Sequence, residues 1–189
     1  MLHPAVPRAR RSFATVADRL PQRQECVRFM DREWIDRFTD AVERGAARLL
    51  ARPDADAAVR PAPNKWSAKE IVGHLIDSAV NNQARFVRAQ MQDDLIFEGY
   101  DQDEWVRVQR YQDRSWPELV HTWHTLNQQV AATMRAAPAH ELDRVRPRHN
   151  LHEIGFNLLP PNERPTLAFL MRDYVAHLEH HLRQIFVNR

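Results

Sequence analysis

Apolar residues recur every three or four positions in four separate stretches of this chain. Nowhere do they alternate with the period of two that a half-buried strand requires. The first stretch, within 25–51, carries Trp34, Ile35, Phe38, Val42, Ala46 and Leu49. The second, 67–91, carries Ile71, Val72, Leu75, Ile76, Ala79, Phe86 and Val87. The third, 115–137, carries Leu119, Val120, Trp123, Leu126, Val130 and Met134, and the fourth covers 166–187. Ser67–Glu70 and Ser115–Glu118 have the S-x-x-E spacing of a capping box, in which hydroxyl and carboxylate each satisfy an orphan backbone N–H. Pro138 closes the third stretch and Pro165 precedes the fourth. Residues 52–65 read as a Pro-punctuated loop, and 93–114 and 138–165 as long connections. The expected fold is all-α, a four-helix bundle with long inter-helix connections.

Composition narrows the function classes. The chain has 189 residues, enough for one domain with its own core. Its four glycines form neither GxxxxGK[ST] nor GxGxxG, which sets aside the folds that cradle phosphate on glycine. A single cysteine, Cys26, allows no internal disulfide and no Cys-based zinc site, and it points to a reducing compartment, the cytoplasm. We take it as an incidental thiol. No apolar run approaches the ~20 residues that span a bilayer. Of the 27 basic residues only Lys65 and Lys69 are lysines. Residues 1–24 hold Arg8, Arg10, Arg11, Arg19 and Arg23 against Asp18. The chain's net charge of +2 therefore leaves the remainder slightly acidic, which is no nucleic-acid surface. Residues 1–24 are expected to be a disordered basic extension, with a transit-like leader as the alternative, and 25–189 the folded domain.

Ten histidines point to chemistry. The last helix should bury Leu170, Tyr174, His177, Leu178, His181 and Ile185 on one face. His177 and His181 stand four residues apart, about 5–6 Å at Cβ, so that two imidazoles can converge on one ion. His180 falls at the edge of this face. His74, beside Leu75 on the second helix, is placed to supply a third ligand, with Asp77 and Asn81 one and two turns on. The competing reading is two core histidines, each with a buried hydrogen-bond partner. His121 and His124 leave the apolar stripe of the third helix and read as a solvated face. His149 and His152 lie in a loop, where metal binding is the lesser reading. No HExxH and no GxSxG occurs.

Two boxes together carry a family resemblance. Trp66-Ser67, Gly73-His74-Leu75-Ile76-Asp77-Ser78, Asn81 and Arg85-Phe86 form the first. Tyr174, His177-Leu178-Glu179-His180-His181 and Gln184-Ile185 form the second, with Gly99-Tyr100-Asp101 and Trp105 between them. Over about residues 30–187 the chain resembles the DinB/YfiT-like superfamily. The resemblance implies a four-helix bundle holding one divalent metal ion on His74, His177 and His181, with His180 a non-ligand. It also implies a homodimer. The family has been labelled metal-dependent hydrolase, and several members resemble S-transferases that use low-molecular-weight thiols such as bacillithiol or mycothiol. The basic N-terminal extension departs from the family core.

Three neutral imidazoles would leave a coordination position open, as in catalytic zinc sites. Zn²⁺ is the default ion, with Ni²⁺, Fe²⁺ and Mn²⁺ as alternatives. Such an ion can activate a bound thiol for transfer to a small electrophile, or water for hydrolysis. Asp77 could serve a hydrolase as base, or accept a ligand histidine's free N–H. Asn81 and Arg85 continue the same side of the second helix. Arg85 offers a bidentate clamp for a substrate carboxylate, or an inter-helix salt bridge. Trp66, Tyr100 and Trp105 would wall the pocket, or simply pack loops. Three classes follow: a metal-dependent thiol transferase, a metal-dependent hydrolase, and a non-enzymatic metal-binding stress-response bundle.

Overall fold

The computed structural model describes residues 32–187. The basic extension, Cys26 and the first residues of the expected 25–51 helix lie outside the described residues. Four long helices make the bundle: α1 (Glu33–Leu50), α3 (Ala68–Ala89), α5 (Trp116–Ala136) and α8 (Leu167–Val187). Four short helices sit in the connections: α2 (Asp54–Ala57), α4 (Gln102–Gln109), α6 (Ala139–Asp143) and α7 (Leu151–Ile154). There is no strand among the described residues, only an isolated bridge between Leu95 and His149 that ties the two long connections together. None of the described helices is long and apolar enough to cross a membrane.

α5 packs against both α1 and α3, and α8 packs against α3. α1 is an ordinary amphipathic helix, burying Ile35, Phe38, Val42, Ala46 and Leu49 on one stripe. α3 is different. It buries apolar residues together with Lys69, Glu70, His74, Asp77, Ser78, Asn82 and Arg85, so it has almost no solvent face over its first three turns. Buried polar groups are tolerated only with partners, and for Lys69, Glu70, Asp77 and Arg85 these come from the connections. Ser67 and Glu70 form the expected capping box. Glu70 also pairs with Arg60, whose guanidinium holds its carboxyl below the usual range against the cost of burial. Lys69 donates to Arg114 O at 2.8 Å and pairs with Asp54 at 2.6 Å.

Two expectations need correction. Ser115 makes no side-chain cap at the start of α5. It is exposed, and Asp54 Oδ2 accepts from Trp116 N at 2.8 Å in its place, while Trp116 Nε1 donates to Leu49 O. The capping group thus comes from a distant segment because Trp116 is drawn fully into the core. The 93–114 connection is also more ordered than its polarity indicates. α4 is capped by Asp101, which accepts from Glu104 N at 3.0 Å, and ends at Arg110 in the left-handed conformation (φ 53°). It buries only Val106, too little apolar periodicity to show in the sequence.

The tightest contact of this connection falls on Gly73. A Cβ there would stand 2.1 Å from ring atoms of Tyr111, which lies flat on α3. Gly73→Ala should therefore displace a fully buried tyrosine and cost about 1–3 kcal/mol. A fall in the urea midpoint measures this, and an unchanged midpoint would mean that Tyr111 does not pack on the helix backbone.

Candidate metal centre

The geometry of α3 and α8 brings three imidazoles together. His74 Nε2 lies 3.0 Å from His177 Nε2. The ring of His181 stands 4.9 Å from that of His74 and 4.5 Å from that of His177. One ring nitrogen from each histidine falls within a mutual 4.8 Å. Among the described residues this is the group of histidine and carboxylate side chains that could hold a metal ion. The nitrogens of a tetrahedral site with Zn–N of about 2.0–2.1 Å are roughly 3.3 Å apart, close to the His74–His177 separation.

The protonation state also fits a cation. Burial, and then the nearby His181, push His74 down to about 3. Burial, followed by His181, His74 and His180, pushes His177 down to about 2. His181 is lowered as well, chiefly by burial. All three rings are therefore neutral near pH 7 and keep a lone pair. Two lone pairs 3.0 Å apart repel each other unless a proton or a cation lies between them. Neighbouring groups orient two of the rings. His181 Nδ1 donates to Gln184 Oε1 at 2.8 Å, which leaves Nε2 as the lone-pair nitrogen. His177 Nδ1 lies 3.4 Å from Ser78 Oγ. His74 Nδ1 is buried without a hydrogen-bond partner among the described residues.

The cluster forms part of the wall of a cavity of about 660 Å³. Ser78, Asn82 and Arg85 of α3, Tyr100 of the connection and Asp173 and Tyr174 of α8 also line it. Arg85 Nη2 donates to Glu98 O at 2.9 Å. Burial pushes Tyr100 up to about 12, so it is a neutral donor. Asp173 is nearly buried and accepts from Phe156 N, Asn157 N and Asn157 Nδ2, each at 2.8 Å. This anchors the 155–157 turn so that the Phe156 ring lies 5.4 Å from His177 and 5.3 Å from His180.

Not every residue singled out in the sequence reaches the cavity. Asp77 turns away, and its Oδ1 accepts from Tyr111 Oη at 2.6 Å and from Gln109 Nε2 at 2.8 Å. Asn81 folds back on its own helix, donating to Asp77 O, and its neighbour Asn82 takes the place in the wall. At about 100° per residue, Asn82 lies with Ser78 and Arg85 on the cavity side of α3, while Asp77 lies well off it. Trp66 packs against His74 at 5.1 Å but lines a different cavity. Trp105 stacks on Tyr100 at 4.9 Å, outside the wall. His180 Nε2 bonds to Gln184 Nε2 and stays out of the trio. His121 is exposed on α5, and half-buried His124 bonds to Glu43 of α1. His149 is held by Glu163 O and Leu151 N. Sequence reading did not pick out Asn82, Asp173, Gln184 or Phe156 for the site. Gln184, three residues after His181, Asn82, eight after His74, and Asp173, four before His177, had helical spacings that could have flagged them, whereas Phe156 lies in a loop with no such signal.

Residues 36–185 match the DinB superfamily. The chain belongs to this superfamily. Its fold is also that of YfiT from Bacillus subtilis, described as a probable metal-dependent hydrolase with an unusual four-helix bundle topology. The two chains share 20% identity with a TM-score of 0.66, over 83% of this chain and 86% of the other. No curated protein matches.

In this DinB-superfamily bundle the buried neutral histidines have a thermodynamic consequence. The unfolded chain takes up protons near pH 6.5, whereas folded His74 and His177 resist until about 3 and 2. The metal-free protein should therefore lose stability as pH falls below about 6.5, because the unfolded state then binds more protons. Denaturation of the metal-free chain at pH 7 and pH 5 tests this. The loss should shrink in His177→Leu, and an equal loss in that variant would contradict the argument.

Proposed function

We propose that His74, His177 and His181 hold one divalent metal ion and that the protein transfers a low-molecular-weight thiol to an electrophilic small molecule. The observation that carries this reading is a cluster of three neutral imidazoles on the wall of a cavity that also presents a guanidinium, a phenol and a side-chain amide for binding a polar group. A hydrolase wants a carboxylate placed to move protons. Asp77 is engaged by Tyr111 and Gln109 outside the cavity, Asp173 already accepts three N–H donors, and the other carboxylates of the lining, Asp101, Asp103 and Glu153, are solvent-exposed. A bound divalent ion would supply a thiolate at neutral pH by lowering the thiol's pKa.

The protein's own residues do the rest. Arg85 spends one of its N–H groups on Glu98 O and offers others to a carboxylate on the thiol or its acceptor. Tyr100, Ser78 and Asn82 line the polar side and orient that group. Phe156, pinned by Asp173, supplies an apolar face beside His177. Asp77, Asn81 and Trp105 support the wall from behind. Hydrolysis is the second reading, favoured by the fold shared with YfiT and served by the same three histidines.

The decisive experiment combines elemental analysis with turnover. Protein loaded separately with Zn²⁺, Ni²⁺, Fe²⁺ and Mn²⁺ is offered a chlorinated aromatic electrophile with a panel of small thiols. We expect one ion per chain and formation of the C–S bond with release of chloride only when metal and thiol are both present. His74→Ala, His177→Ala and His181→Ala should each lose the ion and at least about 100-fold in rate, a loss typical of groups that act as a unit. His180→Ala and His121→Ala should retain the ion. Turnover with metal alone would select the hydrolase, and full occupancy in His177→Ala would overturn the ligand assignment.

A further inference from the structure

The histidine cluster has a second side. Behind it, the end of α1, the 53–61 connection, the start of α3 and the end of α8 enclose another cavity, of about 890 Å³. It shares no lining residue with the polar cavity. Its volume lies in the range of small-molecule sites, roughly 300–1,000 Å³. Trp66, Ile71, Ile185 and Phe186 give it aromatic and aliphatic walls, and Arg48 and Arg52 stand in the same lining.

The two arginines are held in place. The Arg48 guanidinium lies over the Phe186 ring, 3.7 Å from its centroid. Arg52 Nη2 donates to Ile185 O at 2.9 Å. A guanidinium has five N–H donors, and a stacked or singly bonded one still presents an edge to an anion. Against these two cations the lining offers one carboxylate, the exposed Asp56. Apolar walls with two guanidinium groups in the same lining fit a flat apolar molecule that ends in a carboxylate or sulfonate. The chain's own residues 1–24, with five arginines and one aspartate, have the wrong sign for this cavity.

We propose that this cavity is a second small-molecule site, for an aromatic anion, distinct from the polar cavity that the three histidines line. The proposal is independent of the thiol-transfer reading, because nothing in it requires a metal. Trp66 forms part of its wall and touches His74, and Gln184 forms part of its wall and bonds to His181, so the occupant would rest against the back of the cluster.

Calorimetric titration of the metal-free full chain with naphthalene-1-sulfonate, and with uncharged 1-naphthalenemethanol, tests the site. We expect the sulfonate to bind one per chain and at least tenfold more tightly than the alcohol. The double variant Arg48→Met/Arg52→Met should erase that preference, and Trp66→Ala should weaken both ligands. Arg85→Met, in the polar cavity, should leave sulfonate binding unchanged. Should the double variant fail to fold, Arg48→Gln alone should lower sulfonate affinity about threefold or more, since Arg48 is solvent-exposed. Equal affinity for the two probes, or loss of binding in Arg85→Met with Arg48→Gln unaffected, would overturn the proposal.

Discussion

Helix α3 carries buried polar side chains from Lys69 to Arg85, and each must find a partner or destabilise the fold. Those partnerships fix the rest of the structure. Ser67 Oγ meets Gln112 Oε1 at 2.6 Å, and Lys69 meets Asp54 and Arg114 O. Asp77 receives Tyr111 and Gln109, and Arg85 reaches Glu98 O. The 53–61 and 98–114 connections are thus clamped to α3 by hydrogen bonds that could not be lost cheaply. Removing one partner leaves the other buried and unsatisfied, at a cost of about 1–3 kcal/mol.

The same constraint explains why His74 is available for chemistry. Lys69, Glu70, Asp77 and Arg85 have partners in the connections, whereas His74 meets the rings of Trp66, His177 and His181. Its Nδ1 is unpartnered among the described residues, and its Nε2 faces another Nε2. A site built on two rigid helices, with Gln184 and Asp173 fixing what surrounds it, holds its geometry better than one built on loops. Tyr100 and Phe156 are parts of the enclosure that come from loops, and Asp173 ties the latter to α8.

Much of this was legible in the residues. The four apolar stripes predicted the four long helices to within a residue or two wherever the structure describes them, and the 67–70 capping box stands. The i, i+4 spacing of His177 and His181 predicted a shared face, and the apolar setting of His74 predicted that it could oppose them. What spacing could not give is which flank of α3 the cavity would occupy. That depends on Tyr111 packing on Gly73, a contact across 38 positions, and it sends Asp77 to one side and Asn82 to the other. The Ser115 box failed for a similar reason, since a distant carboxylate can outcompete a local hydroxyl for an orphan N–H. α4 was hidden because a helix that buries only Val106 leaves no stripe, although Asp101 and Glu104 carry the capping spacing.

The central claim is that three neutral imidazoles from two helices form one metal site. X-ray absorption at the zinc edge of the Zn²⁺-loaded protein tests it most directly. The account predicts three imidazole nitrogens at about 2.0–2.1 Å, with the multiple-scattering pattern of the rings, and one further light-atom ligand. A zinc ion that binds with fewer than two imidazoles, or whose spectrum is unchanged in His74→Ala, would contradict it.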